Sequence, residues 1–213
     1  MKYLKTFEGL ARTDSKIDKV DRTKSLTDED FISILKENCS NFSLGNDFLW
    51  RSKRKKYDLE LFTPNYRNAD PLAFKNFFNK IEKDPDYPVI RKMSLIGGTN
   101  KDIVKKLVGA DMYQVIPFDN SEIVFCPVVD LWAMDDERGK SSELVDKKPV
   151  GKEHFTKVTY DRNFKIPVGE LESLRRQFGV RGGKEHGYEF FTSSPCLLVH
   201  ENKLDWLNNI INK

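Results

Sequence analysis

The chain has little of what several common kinds of site require. Its three cysteines, Cys39, Cys126 and Cys196, are an odd number with no CxxC pair. That pattern argues against a disulfide framework and a cysteine zinc site, so all three read as reduced thiols packed in a core. Three histidines, His154, His186 and His200, stand at no ligand spacing, and no metal is expected. The first residues, Met1 to Glu8, hold no apolar core of signal-peptide length, and no later apolar run approaches a membrane span. The expectation is a cytoplasmic protein with no membrane partner. Charge of one sign is also missing: 36 basic residues nearly cancel 33 acidic ones, leaving a formal +3. An overall preference for nucleic acid is therefore not announced, and only a local patch could create one.

What remains is the composition of one soluble globular domain, with 38% hydrophobic and 32% charged residues over 213 positions and no internal repeat. Residues 12–25 are polar and read as an extended surface segment. Thr27 caps a first helix with Asp30 at the capping-box position, and Phe31, Ile34 and Leu35 form its apolar stripe. Residues 47–51 are strand-like and run into the basic stretch Arg51 to Lys56. Asp70 and Pro71 open a second helix carrying Phe74, Phe77, Phe78 and Ile81. Val89 to Ile96 is a strand stopped by Gly97-Gly98, and Asn100 caps a helix ended by Gly109.

Tyr113–Phe118 and Ile123–Val129 are strongly β-like and separated by the turn Asp119-Asn120-Ser121. A charged, mobile loop is expected near 135–160. Pro167 opens a helix with Leu171, Leu174 and Phe178, Tyr188–Val199 reads as a strand bent near Pro195, and Leu204, Leu207, Ile210 and Ile211 mark a last helix. Helices and short strands interleave, which predicts an α+β domain whose strands are mostly antiparallel.

Polar residues set inside these apolar runs are the candidates for chemistry. Arg51 follows Leu49-Trp50, Arg91 and Ser94 bracket Lys92-Met93, and Glu189 stands between Tyr188 and Phe190-Phe191. A carboxylate flanked by large apolar groups is commonly paired, edge-facing or functional. Each has a plainer reading as well: Arg51 as a solvated strand end, Ser94 as an ordinary strand serine. Pro127, Asp130 and Trp132 suit a corner or a cleft wall.

The stretches Phe48–Arg51, Arg91–Ile96, Tyr113–Phe118, Cys126–Trp132 and Glu189–Phe191 with Cys196–Val199 resemble bacteriophage proteins of the ADP-ribosyltransferase superfamily, over roughly residues 20 to 200. The resemblance implies a split β-sandwich with flanking helices, an NAD cleft with NAD as substrate, and an Arg-Ser-Glu triad of Arg51, Ser94 and Glu189. It implies transfer of ADP-ribose to a host macromolecule, protein or nucleic acid, in the host cytoplasm. The residue types suit that chemistry. Breaking the nicotinamide bond builds oxocarbenium character on the ribose, which the Glu189 carboxylate would stabilise. The Arg51 guanidinium suits a diphosphate, Arg91 offers a second phosphate contact, and Ser94 would position the carboxylate or the ribose.

Two departures bear on the acceptor. Arginine-directed members carry an acid or amide two residues before the glutamate, where this chain has Gly187, and the Ser-Thr-Ser pattern is reduced to Ser94-Leu95-Ile96. Glu185 and His186 lie close enough in sequence to act on the acceptor side. Glu122, in Ser121–Phe125, competes with Glu189 for the acid. The alternatives that stay open are a catalytically inactive member of the fold that binds a nucleotide or host protein, and a nucleic-acid-binding module built on Arg51 to Lys56.

Overall fold

Local chemistry sets the helix ends. Thr27 lies in extended backbone and its side chain accepts a hydrogen bond from the Asp30 amide (3.1 Å), capping α1, Asp28–Asn38. Asp28, Glu29 and Asp30 in the first turn complement the positive end of the helix dipole. Asn100 caps α2, Lys101–Val108, through the Ile103 amide (3.2 Å), and Gly109 terminates it in the left-handed conformation at φ 65°. Helices α3, Val168–Gln177, and α4, Leu204–Ile211, complete the set among the described residues. The computed structural model describes residues 23–43, 48–64, 94–127, 155–177 and 187–212. The predicted helix from Asp70, Arg91, Asp130, Trp132, His154, Glu185, His186 and residues 135–154 of the expected loop lie outside them.

The strands are β1 Thr23–Ser25, β2 Leu49–Lys53, β3 Leu59–Phe62, β4 Leu95–Gly98, β5 Asp111–Pro117, β6 Glu122–Cys126, β7 Thr156–Thr159, β8 Glu189–Thr192 and β9 Cys196–His200. All pair antiparallel in one nine-stranded sheet, in the order β1-β3-β9-β5-β2-β4-β8-β6-β7. The fold class is α+β. Five strands on one side and four on the other meet where β2 and β4 share a single registered pair, Trp50 with Gly98.

Several expectations are corrected here. The predicted strand 47–51 instead runs to Lys53, because the start of the basic run pairs with Asp111–Tyr113 of β5. Residues 23–25, read as a surface segment, are a strand paired to β3, itself a strand that the sequence pattern did not predict. The loop expected near 135–160 is corrected at its end, since Thr156–Thr159 is β7 paired to β6. Tyr188–Val199 is two strands, not one bent strand. β8 pairs with β4 and β6, whereas β9 pairs with β3 and β5 in the other half of the sheet.

The turn between β5 and β6 makes the same crossing, with Asn120 at φ 61°. The Phe118 amide donates to Pro195 O (3.2 Å), so the two crossings are bonded to each other.

Each face of the sheet has its own core. On one face α1 and α4 bury Phe31, Leu35, Cys39 and Leu207 against Leu59, Ile116, Leu197 and Val199. Each such large side chain contributes roughly 1.5–3 kcal/mol. On the opposite face Leu49, Phe62, Tyr113, Val115 and Leu198 from the five-stranded side join Leu95, Ile123, Phe125 and Phe190 from the four-stranded side, with Tyr160, Phe164 and Leu171 closing over them. A single core thus draws on both halves.

Candidate functional site

Two glycines make the junction between the halves possible. A Cβ at Gly97 would overlap the Trp50 carbonyl oxygen and the Phe190 ring, and one at Gly98 would stand 2.6 Å from Val104 Cγ2 of α2. Backbone can approach this closely only without a side chain. The registered row across the junction runs Trp50, Gly98, Glu189, Cys126.

Arg51 stands next to that row. Where the β2–β4 ladder ends, its Nη1 donates to Ile96 O (2.7 Å), so the guanidinium fills the gap between the two strands. With strands about 4.8 Å apart, Trp50 and Glu189 are separated by about 10 Å along the row. Directly opposed residues share a face and successive residues alternate. Glu189 therefore leaves the sheet on the Trp50 side, and Arg51 on the other. On that other side Arg51 borders a cavity of about 220 Å³ with Thr23, Lys53, Phe62 and Leu198. Burial pushes the nearby Cys196 thiol up, Cys39 adds to the rise, and Arg51 opposes it.

Glu189 is 7% exposed, and its position depends on contacts made by the two residues before it. Thr99 N donates to Tyr188 O and Tyr188 N donates to Thr99 Oγ1, both at 2.9 Å. Arg175 on α3, itself buried, donates from Nε to Pro127 O (2.7 Å) and from Nη2 to Gly187 O (2.8 Å). Glu172 pairs with Arg175 (3.0 Å) and accepts from the Tyr188 hydroxyl (2.6 Å). Gly187 has φ 76°, and a Cβ there would lie 2.7 Å from Asn100 Cβ and 2.9 Å from Asn100 N. The position two before Glu189 therefore has no room for the acid or amide of arginine-directed enzymes.

Ser94 sits elsewhere. It is 1% exposed, its Oγ lies 2.8 Å from Ser193 Oγ, and it lines a second cavity of about 220 Å³ with Glu122, Val124, Phe191, Thr192, Ser193 and Ser194. Being four residues before Gly98, it is about 13 Å from the level of Glu189 at about 3.3 Å per residue. Glu122 is half-exposed and pairs with Lys157 at 2.5 Å. The structure thus puts Arg51 and Glu189 near one level of the sheet but on opposite faces of it, and brings Ser94 together with Glu122 at another level. It does not gather Arg51, Ser94 and Glu189 around one point.

Sequence reasoning missed Arg175, Glu172 and the buried Glu60. Arg175 had a signal, since it lies four residues after Leu171 and so on the same inward helix face. Glu60 had none, because β3 is covered on both faces and its carboxylate is indistinguishable in sequence from a solvated one.

Comparison with protein-family models, with curated proteins and with solved structures finds no match to this chain.

Proposed function

We propose that the chain is an NAD-consuming protein of ADP-ribosyltransferase type, built as a split β-sandwich. It would break the nicotinamide–ribosyl bond and pass ADP-ribose to a host macromolecule. In that reaction nicotinamide leaves with the bonding electron pair, an acceptor lone pair forms the new bond to the ribosyl carbon, and the acceptor's proton goes to solvent. Arg51 binds the diphosphate and Glu189 stabilises the oxocarbenium-like ribose.

The observation that carries this reading is the junction. The antiparallel sheet is joined through one pair, Trp50–Gly98, one core draws on both halves, and Arg51 and Glu189 stand beside the joint, on opposite faces of the sheet, although 138 positions (189 − 51) separate them. Arg51 reaching Ile96 O supports a guanidinium held at the split and not in solvent.

A second reading, a catalytically silent relative that binds a nucleotide or a host protein, is favoured by the opposite faces that Arg51 and Glu189 take, by the separation of Ser94 from Glu189 and by the crowding at Gly187. Nicotinamide release from NAD, measured alone and with cell lysate, separates the two. Wild type should release it and Glu189→Ala should lose on the order of 100-fold in rate. Absence of release and of label transfer under every condition would leave only the silent reading, and loss in Glu122→Ala with Glu189→Ala unaffected would move the acid to the Ser94 cavity.

A further inference from the structure

The cavity shared by Ser94 and Glu122 takes no part in the NAD reading, which rests on Arg51 and Glu189. The registered pairs Leu95–Thr192 and Val124–Phe191 set Ser94 at the entry to β4, Ser193 at the end of β8 and Glu122 of β6 in one row across three strands. Opposed residues share a face and alternate residues return to it, so Phe191 and Val124 flank that row on the same face. The row is bonded as well as aligned. Ser94 Oγ lies 2.8 Å from Ser193 Oγ, and Glu122 O accepts from Thr192 Oγ1 (2.9 Å). Ser94 is buried and Ser193 exposed, so the serine pair leads from the interior to the open side of the cavity.

The lining sets what fits. Among the described residues that line the cavity, Glu122 is the only charged one, and its Oε2 is paired with Lys157 at 2.5 Å. Asp161, two residues beyond β7, does not line it and accepts from the Asn163 amide (2.8 Å). An anion therefore meets no unpaired cation among these residues, and a cation meets a carboxylate that Lys157 already holds. A neutral group with several hydroxyls suits both conditions, because either serine of the Ser94–Ser193 pair can donate or accept. Phe191 and Val124 supply an apolar wall for C–H groups. At about 220 Å³ the cavity is below the roughly 300–1,000 Å³ of sites that enclose a whole drug-sized ligand, so it takes one ring and not a complete nucleotide.

We propose that this cavity binds a single neutral sugar unit through adjacent hydroxyls. Glu122 Oε1 accepts from one hydroxyl, Ser193 Oγ bonds the next, and Ser94 is the positioning residue that orients the Ser193 hydroxyl. Lys157 holds the carboxylate in place from the edge strand. The ring lays its C–H face against Phe191 and Val124. The site is independent of nicotinamide release, since neither Arg51 nor Glu189 lines it.

Amide NMR of the isotopically labelled protein, titrated with methyl glucoside, methyl galactoside, adenosine and pyrophosphate, tests it. At least one of the three neutral sugars should give saturable shifts centred on the Glu122, Ser193 and Ser194 amides at about millimolar concentration. A response to a methyl pyranoside supports a hexose unit, and a response to adenosine supports a nucleoside ribose in the same site. No shift at these amides with any sugar up to about 10 mM, or a stronger response to pyrophosphate than to every sugar, would overturn the proposal. Glu122→Gln keeps the size of a half-exposed side chain and removes its charge, so it should weaken the sugar by about tenfold while the fold is kept. Equal binding by this variant would overturn the assignment of Glu122.

Discussion

Replacing Arg175 by methionine removes the fastening of the strand that carries Glu189 while keeping most of the side-chain stem. Two buried carbonyls, Pro127 O and Gly187 O, lose charged donors at 2.7 and 2.8 Å. Each such loss costs about 1.5–2 kcal/mol. Glu172 loses its partner as well, but it is 23% exposed and keeps the Tyr188 hydroxyl, so its share is discounted. The guanidinium also lies 4.8 Å from the centre of the Tyr188 ring, a contact methionine only partly replaces. The sum is about 3–5 kcal/mol, the range found when one member of a buried ionic network is removed. In urea, at a slope of about 2 kcal/mol per molar, the unfolding midpoint should fall by roughly 2 M with the slope unchanged. Nicotinamide release, if present in wild type, should fall even where the variant is fully folded, because Glu189 loses its support. A midpoint shift below about 0.5 M would refute the fastening role of Arg175.

Gly97→Ala should destabilise by roughly 3 kcal/mol or fail to fold, read as soluble yield and urea midpoint, because the added methyl overlaps the backbone oxygen of Trp50. Gly187→Ala should cost about 1–3 kcal/mol through its positive φ and the contact with Asn100; a neutral result would remove the structural explanation for the missing acid. Cys39, Cys126 and Cys196 are all buried, and burial followed by the charge of Asp119 pushes the Cys39 thiol up to about 12. A thiol reagent at pH 7.5 should label none of the three until the protein is unfolded.

Lys55, then Asn202, hold the Asp58 carboxyl below its ordinary value, and Lys101 does the same most strongly for Glu201. Carboxyls lowered in the folded state contribute stability that is complete above their unfolded values and is lost as pH falls through the folded ones. The urea midpoint should therefore decline below about pH 4, and less so in high salt because both groups are largely exposed.

The parts legible in the sequence are those decided within a few residues. The cap at Thr27, the cap at Asn100 and the stop at Gly109 are contacts between near neighbours, and each stands where the sequence predicts it. Apolar runs likewise marked Tyr113–Phe118 and Ile123–Val129 as strands, and strands form there at Asp111–Pro117 and Glu122–Cys126. Their partners were not legible. A short turn suggests a hairpin between β5 and β6, yet β5 pairs with β2 and β9 while β6 pairs with β7 and β8.

The same holds for the candidate site. Sequence alone could nominate Arg51, Ser94, Glu189 and the rival Glu122, because each is a polar group in a β-favouring run. It could not say that Ser94 and Glu122 would share a cavity while Glu189 lies about 13 Å away along β8.

What the sequence determined by itself is an α+β chain of capped helices and short strands, since helix ends and strand character depend on local backbone and side-chain preferences. What only the tertiary structure decided is which strands became neighbours, which face each polar side chain took and which of them met. Those outcomes depend on register, where a one-residue slip moves every side chain to the opposite face, and on close approaches such as Gly97 against Trp50 between residues far apart in the chain.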